Sequence, residues 1–418
     1  MTRNQRWVLA DSRISDRRRG VATEELRRHN LAAVLDRLHI GGPMSRSLLA
    51  SQTGLNRSTI RDLIGELSEL GLVVENRGRP SAGPGRPSSI ARVSPAAAVV
   101  LAVELEVDSI AVATVGLGGH IFGEAREPNT PATVSPEDVV SRLAVLAEPL
   151  LRGLPASHSL VGVGVAVAGV VRRSDGFVHT APNLGWRDVP IADLIRARMG
   201  LDLVRVANEA DLGALGEFRR GAARRSRNMI FVAGEVGVGI GIIHEAAPML
   251  GVAGYAGEAG HTMVNPQGRE CRCGSRGCWE TEVGEEALAE RAGVVQGEAG
   301  GTPLEAILRR AKDGDSLTLA ALWDVGKWLG IGIGNLINIF NPDLVVIGGF
   351  YEAIYSYLSA AVEVGAKTVA LDAPWQTCSI VRSELGSDAL LIGAAELVLG
   401  EVVADPTAPI TGLATPVG

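Results

Sequence analysis

Between Thr23 and Gly41 apolar residues recur at helical spacing. Leu26, Leu31, Val34, Leu35 and Leu38 are expected on one face, with Thr23 as cap and Gly41-Gly42-Pro43 as stop. Ser45 opens a second, shorter helix to about Thr53, Gly54 makes a turn, and Asn56 caps a third helix to about Leu70. Counted from Arg46, the small residue, the tight-turn glycine and the two core anchors that a helix-turn-helix needs fall on Ala50, Gly54, Ile60 and Leu63. Extended runs at 72–75 and 89–93 enclose a Gly/Pro-rich segment with Arg77, Arg79 and Arg86, which reads as a wing. A flexible basic arm (1–22) is expected before this winged helix-turn-helix domain (23–94).

Past a boundary near 94–98 the pattern changes to apolar or alternating strands at 99–105, 109–115 and 120–126, a helix at 136–151 and a strand at 160–167. A helix at 192–199, a strand at 203–206 and a helix at 209–220 follow. A second set starts with strands at 229–233 and 237–243. It then becomes helix-rich, with a long segment through 329–340, and strands at 344–347 and 377–381. A helix near 388–399 ends it. Strand triplets followed by alternating helices and strands, twice over, predict two similar α/β lobes around a cleft. The lobes are placed at about 95–210 with the C-terminal helix 388–400, and at 211–387; 401–418 is read as a tail.

Composition fits this picture. With 418 residues, 46% hydrophobic and 21% charged, the chain can build two or three domains with sizeable cores. The longest apolar runs, such as 161–171 and 329–333, are too short or interrupted to span a bilayer, and no apolar stretch backs the N-terminal arginines as in a signal peptide. A soluble, cytoplasmic protein without membrane contact is expected. Charge is uneven: residues 1–93 hold 16 Arg and no Lys against 9 Asp+Glu, while the whole chain carries −7. A basic head on an acidic body points to nucleic acid at the head.

Short polar and bidentate side chains at a recognition-helix N-terminus can reach base edges and phosphates. Ser45, Arg46, Asn56, Arg57, Ser58, Thr59 and Arg61 are therefore the candidate DNA contacts, with Arg77, Arg79 and Arg86 laid along a minor groove. A linker that happens to be basic is the alternative for the last three.

The richest stretch runs from Gly257 to Glu280, GEAGHTMVNPQGRECRCGSRGCWE. It holds three of the four cysteines, Cys271, Cys273 and Cys278, downstream of His261. Three thiolates and an imidazole complete a tetrahedral structural zinc site. Gly274 and Gly277 permit the tight turns that let the sulfurs converge. A surface disulfide is disfavoured in a chain with no mark of secretion. Cys378 is expected in the core. Glu258 and Glu280 bracket the ligands, either as acceptors for a polyhydroxylated ligand or as surface charges.

With these motifs in place, the chain from about residue 23 resembles the ROK family (repressors, open reading frames and kinases), on its sugar-responsive repressor branch. The segment Gly260-His261 with Cys271-Arg272-Cys273-Gly274-Ser275-Arg276-Gly277-Cys278-Trp279-Glu280 is the most specific match. The resemblance implies a two-lobed, actin-like (RNase H-like) ATPase fold with structural Zn2+ beside a sugar. It implies sugar contacts at Asn183, Asn208, Glu209, Glu258, His261 and Glu280.

Kinase members open their first phosphate loop with Asp-x-Gly-Gly-Thr, whereas this chain reads Glu104-Leu105-Glu106-Val107-Asp108. Each like-charge pair at 4 Å costs about 1–4 kcal/mol, which opposes a nucleotide there. The second loop is Gly234-Glu235-Val236-Gly237, and Glu209 stands where kinases carry a catalytic Asp. Gly348-Gly349 of the adenosine side is kept, followed by Phe350. The expectation is a regulator without catalysis, most simply a repressor of sugar uptake or catabolism genes. Its partners would be operator DNA, a monosaccharide effector and a second copy of itself, in a dimer or a tetramer. A sugar kinase with an added DNA-binding head and an architectural DNA-binding protein are the alternatives.

Overall fold

The computed structural model describes residues 18–77, 89–107, 109–129, 135–295 and 301–408. These fall into two compact units, one of the residues up to Ser94 with Glu401–Pro409, the other of Pro95–Gly400.

The smaller unit has three helices, Arg18–Gly41, Arg46–Thr53 and Arg57–Glu69. Ser45 and Asn56 cap the second and third, and Gly54 takes the left-handed conformation (φ 73°) that ends the second. A three-stranded antiparallel sheet runs Met44–Ser45, Ser89–Val93, Val73–Arg77, with Val73 opposite Val93 and Met44 opposite Ala91. Leu31, Val34, Leu35, Leu38, Leu49, Ile60, Leu63 and Leu67 form its buried core.

The expected apolar face of the first helix is corrected at Leu26, which is 60% exposed. At 3.6 residues per turn Leu26 lies about 130° around the helix from the middle of the stripe made by Leu31, Val34, Leu35 and Leu38. The helix also starts earlier than Thr23, at Arg18.

The larger unit has two five-stranded mixed sheets. The first runs Val204–Asn208, Leu160–Val167, Val99–Leu105, Ser109–Gly116, His120–Pro128; the second runs Ala247–Pro248, Val238–His244, Met229–Gly234, Leu344–Gly349, Ser379–Arg382. In both, antiparallel pairs lie beside parallel ones, as expected for strands bridged by helices. Each sheet has its own core, one around Val103, Val163 and Val206, the other around Ile230, Val345 and Tyr351. An antiparallel trio, Trp186–Val189, Phe177–Ala181, Val170–Arg172, was not legible in the hydrophobic pattern.

The helices Ser316–Phe340 and Phe350–Lys367 pack closely because glycine lines their contact: a Cβ on Gly330 would collide with the Val362 carbonyl. The last helix runs Ala389–Ala404 instead of ending near 399, so the C-terminal tail begins later than read from sequence. Among the described residues no helix is long and apolar enough to cross a membrane.

Candidate metal centre and cleft

The cysteine loop is held from both sides. Cys271 N–H donates to Ser275 O (2.8 Å) and Gly274 N–H to Cys271 O (3.0 Å), a turn that Gly274 closes at φ 90°. Isolated bridges tie Glu270 to Arg276 and Met263 to Cys278. Gly277, at φ 70°, packs where any Cβ would strike the Asn265 carbonyl. Next to Cys278, Trp279 is fully buried, its indole N–H donating to Trp328 O (3.0 Å) and its ring lying against Gly332. The loop is thereby anchored to the long helix Ser316–Phe340.

The loop brings His261, Cys271, Cys273 and Cys278 together, with one ligand atom of each within 4.8 Å of all the others. Cys271 Sγ is 3.6 Å from His261 Nδ1, and Cys273 Sγ is 3.7 Å from Cys278 Sγ. Tetrahedral coordination with metal–sulfur bonds of about 2.3 Å and metal–nitrogen bonds of about 2.0 Å requires edges of about this length. All four cysteines are free thiols. Hydrogen bonding from Ser275 and the neighbouring thiols draws Cys273 down to about 7, toward the thiolate that binds metal. Burial pushes Cys271 and Cys278 the other way. Cys378, expected in the core, is only half-buried.

Glu280 sits against this cluster. Its Oε1 accepts from Cys271 Sγ (2.9 Å) and lies 3.3 Å from His261 Nδ1. That contact raises His261 to about 9; burial opposes the Glu280 charge, but His261 and Cys271 hold its carboxyl below the ordinary range. Room for Glu280 comes from Gly237, where a Cβ would stand 2.5 Å from Oε2.

The other sugar candidates divide. Asn183 is half-buried and its Oδ1 accepts from Arg272 Nη1 (3.2 Å), which joins the first lobe's loop to the cysteine loop. Glu258, exposed, is near enough to His261 and Glu280 for their charges to act on it. Asn208 is engaged by the backbone. Its Oδ1 caps the helix Glu209–Arg219 through Ala210 N–H (2.8 Å), and its Nδ2 donates to Gly169 O (3.0 Å), so both polar ends serve the backbone. Glu209 begins that helix, where burial and the charges of Glu106 and Glu104 hold its carboxyl well above the usual range. It therefore stands with the acidic end of the cleft.

Sequence reasoning missed Asp211 and Arg173. Asp211 is 7% exposed, and burial first, then Glu258, pushes it to about 7 against the opposing guanidinium of Arg173. Nothing in the run Val170-Val171-Arg172-Arg173 marks the second arginine as the inward one.

Residues of both lobes also line a cavity of about 510 Å³. Its wall includes Glu104, Glu106, Glu124, Glu235, Glu352 and Asp388, with Arg126 as the one basic residue among the described residues. Strand register explains how Arg126 reaches Glu104. Both are paired with Ala111, from either side of the strand Ser109–Gly116, so they share a face with only a methyl between them. Arg126 Nη1 donates to Glu104 Oε1 and to Ser109 Oγ, both at 2.9 Å, and lies 3.7 Å from Glu106. Even so, burial and then Glu106 push Glu104 to about 8. Gly349 (φ 59°) turns the chain from its strand into the helix Phe350–Lys367, whose first turn carries Glu352.

At the smaller unit, Arg57, Ser58 and Arg61 are exposed at the start of the third helix. Asn56 Oδ1 is engaged as cap by Thr59 N–H (2.9 Å) and Ser58 Oγ (2.6 Å), and Ser45 Oγ accepts from Leu48 N–H (3.2 Å). Arg46 grips Glu75 with a two-pronged contact, Nε to Oε1 at 2.6 Å and Nη2 to Oε2, which fastens the second helix to the sheet. Arg79, Arg86 and the side chain of Arg77 lie outside the described residues.

Two α/β lobes that carry a Cys3His cluster define a sugar-kinase-like body. The chain belongs to the ROK family, whose sequence model matches residues 100–401. It is 30% identical over 380 residues to the xylose repressor of Caldicellulosiruptor bescii, covering 87% of this chain and 93% of the relative. It is 31% identical to the glucokinase of Streptomyces coelicolor over 72% of this chain and 97% of that enzyme. The crystal structure of a ROK family transcriptional regulator, a homologue of the Escherichia coli Mlc protein, superposes with a TM-score of 0.75 at 25% identity, covering 91% of this chain and 97% of that one.

Proposed function

We propose that this protein is a sugar-responsive, DNA-binding transcriptional regulator, most simply a repressor of genes for carbohydrate uptake or catabolism. The observation that carries the reading is coverage. The xylose repressor matches along nearly its whole length and 87% of this chain, whereas the glucokinase, also matched nearly whole, leaves more than a quarter of the chain unaccounted for. The smaller unit supplies the surplus. Three helices with a strand pair around the 78–88 segment have the order of a winged helix-turn-helix, with Arg57, Ser58 and Arg61 presented for the major groove. Two copies in a symmetric, cytoplasmic dimer would read a pseudo-palindromic operator.

In the body, Asn183, Glu258, His261 and Glu280 are the sugar contacts we assign, and the Cys3His set suits Zn2+. The ion supplies structural closure of the loop. Glu280 and Asn183 then meet hydroxyl groups from the two lobes, so that a sugar favours one lobe arrangement and changes operator affinity by that difference alone. Phosphoryl transfer is not expected, because Glu104, Glu106 and Glu235 oppose the phosphates of a nucleotide. The test is a pentose and hexose panel titrated against the operator complex. Release by one sugar supports the reading, and no response to any at millimolar concentration overturns it. Arg57→Ala should weaken operator binding by about 1–3 kcal/mol and relax base discrimination, measured by competition against mutated operators.

A further inference from the structure

The acidic cavity is unsuited to the phosphates that the fold's enzymes bind, but it is not inert. We propose that it is a binding site for an alkyl diamine or polyamine, whose ammonium groups meet carboxylates on both lobes and whose methylenes lie along the apolar wall.

The first observation is charge. Among the described residues six carboxylates against one guanidinium line a single cavity, from strands of the first sheet (Glu104, Glu124) and the turn after one of them (Glu106), from the second lobe (Glu235, Glu352) and from Asp388 before the last helix. The partial positive charge at the start of the helix Phe350–Lys367 is already answered by Glu352 in its first turn.

The second, independent observation is a specific atom. Glu104 is 2% exposed and lines the cavity; Arg126 satisfies its Oε1, while its Oε2 is buried with no hydrogen-bond partner. A buried carboxyl oxygen left unpaired costs about 1–3 kcal/mol, which an entering ammonium would recover as Glu104 releases to solvent the proton it holds in the empty cavity. An ammonium brings three donors and a positive charge.

The third is the rest of the wall. Ala111, Ala125, Leu304, Phe350 and Leu391 are apolar, and about 510 Å³ far exceeds the roughly 30 Å³ share of one water. A bare metal ion would leave this surface unused. An alkyl chain uses it, and the Phe350 ring offers a face to a cation. Phe350, following the retained Gly348-Gly349, thus acquires a use that nucleotide chemistry does not give it.

The proposal does not depend on the regulator reading, since binding is scored on the purified full-length chain without operator or sugar. The probes are 1,4-diaminobutane and spermidine, followed by calorimetry and thermal shift at 150 mM KCl, with MgCl2 at matched ionic strength as comparison. Saturable binding of either amine is expected, weakened at least tenfold in Glu104→Gln and several-fold in Glu124→Gln, whose exposed side chain can be changed without touching the core. Should Glu104→Gln fail to fold, Glu124→Gln together with Phe350→Leu decides. No saturable binding, equal affinity in the folded variants, or an equal response to Mg2+ would each overturn the proposal.

Discussion

The cysteine loop and the acidic cavity handle polar groups in opposite ways. At the cysteine loop, Glu280 faces Cys271 and His261, Asn183 faces Arg272, and four ligand atoms converge. At the acidic end, Glu104, Glu106 and Glu209 crowd one another, with Arg126 pairing Glu104 and Glu106. The first arrangement is organised for something to be held. At the second, burial and like charge favour the protonated carboxyl, so the crowding is relieved by bound protons.

The largest effect should come from breaking the ordered end. Cys273→Ser removes one of the four candidate metal ligands at an exposed position, so little packing is lost directly. Structural zinc in small domains contributes about 10–16 kcal/mol of binding energy to folding, and a large share of the loop's stability should go with it. Metal analysis should fall from one equivalent per chain to nearly none, with a lower melting temperature. A full equivalent retained would remove Cys273 from the ligand set.

The crowded end should respond with the opposite sign. Burial and Glu106 raise Glu104 from 4.5 to about 8 in the folded chain. The native state therefore holds a proton that the unfolded state has already released between those values. Stability from this group is complete below about pH 4.5 and is lost as pH rises toward 8. Glu104→Gln keeps an acceptor for Arg126 and removes the charge. It should raise stability at pH 8 by about 1–3 kcal/mol and flatten the profile between pH 5 and 8, read from chemical denaturation. A loss of stability at pH 8 would mean that the Arg126 pair outweighs the crowding.

How far each end was legible follows from the sequence distance over which it is built. The cysteine loop announces itself because three ligands lie within eight positions and their glycines must take positive φ, Gly274 at 90° and Gly277 at 70°. The helix caps Ser45 and Asn56 were equally readable, being set by residues three apart. The carboxylates of the other end were visible singly, as replacements in a phosphate loop. Their meeting with Arg126 depends on a two-strand register through Ala111, and the cavity gathers residues from Glu104 to Leu391. Asp211 and Arg173 were silent for the same reason. Arg46, chosen as a DNA contact, was read by type and place; its fork with Glu75 depends on a strand far along the chain.

The smallest effect, and the finest test of the contrast, is at Asn183. Its amide oxygen accepts one hydrogen bond, 3.2 Å from an Arg272 that is itself exposed and also near Glu286 (3.6 Å). Asn183→Ala should therefore cost at most about 0.5–1.5 kcal/mol of stability, the net contribution of one partly solvated hydrogen bond. If the ordered end is a sugar site, the same substitution should weaken sugar binding by more than it weakens the fold, because a hydroxyl facing the cavity left behind loses its partner. Calorimetry and denaturation on one preparation give the two numbers. Equal losses would make Asn183 a tie between lobes and nothing more; a larger loss in sugar affinity would place it at the ligand.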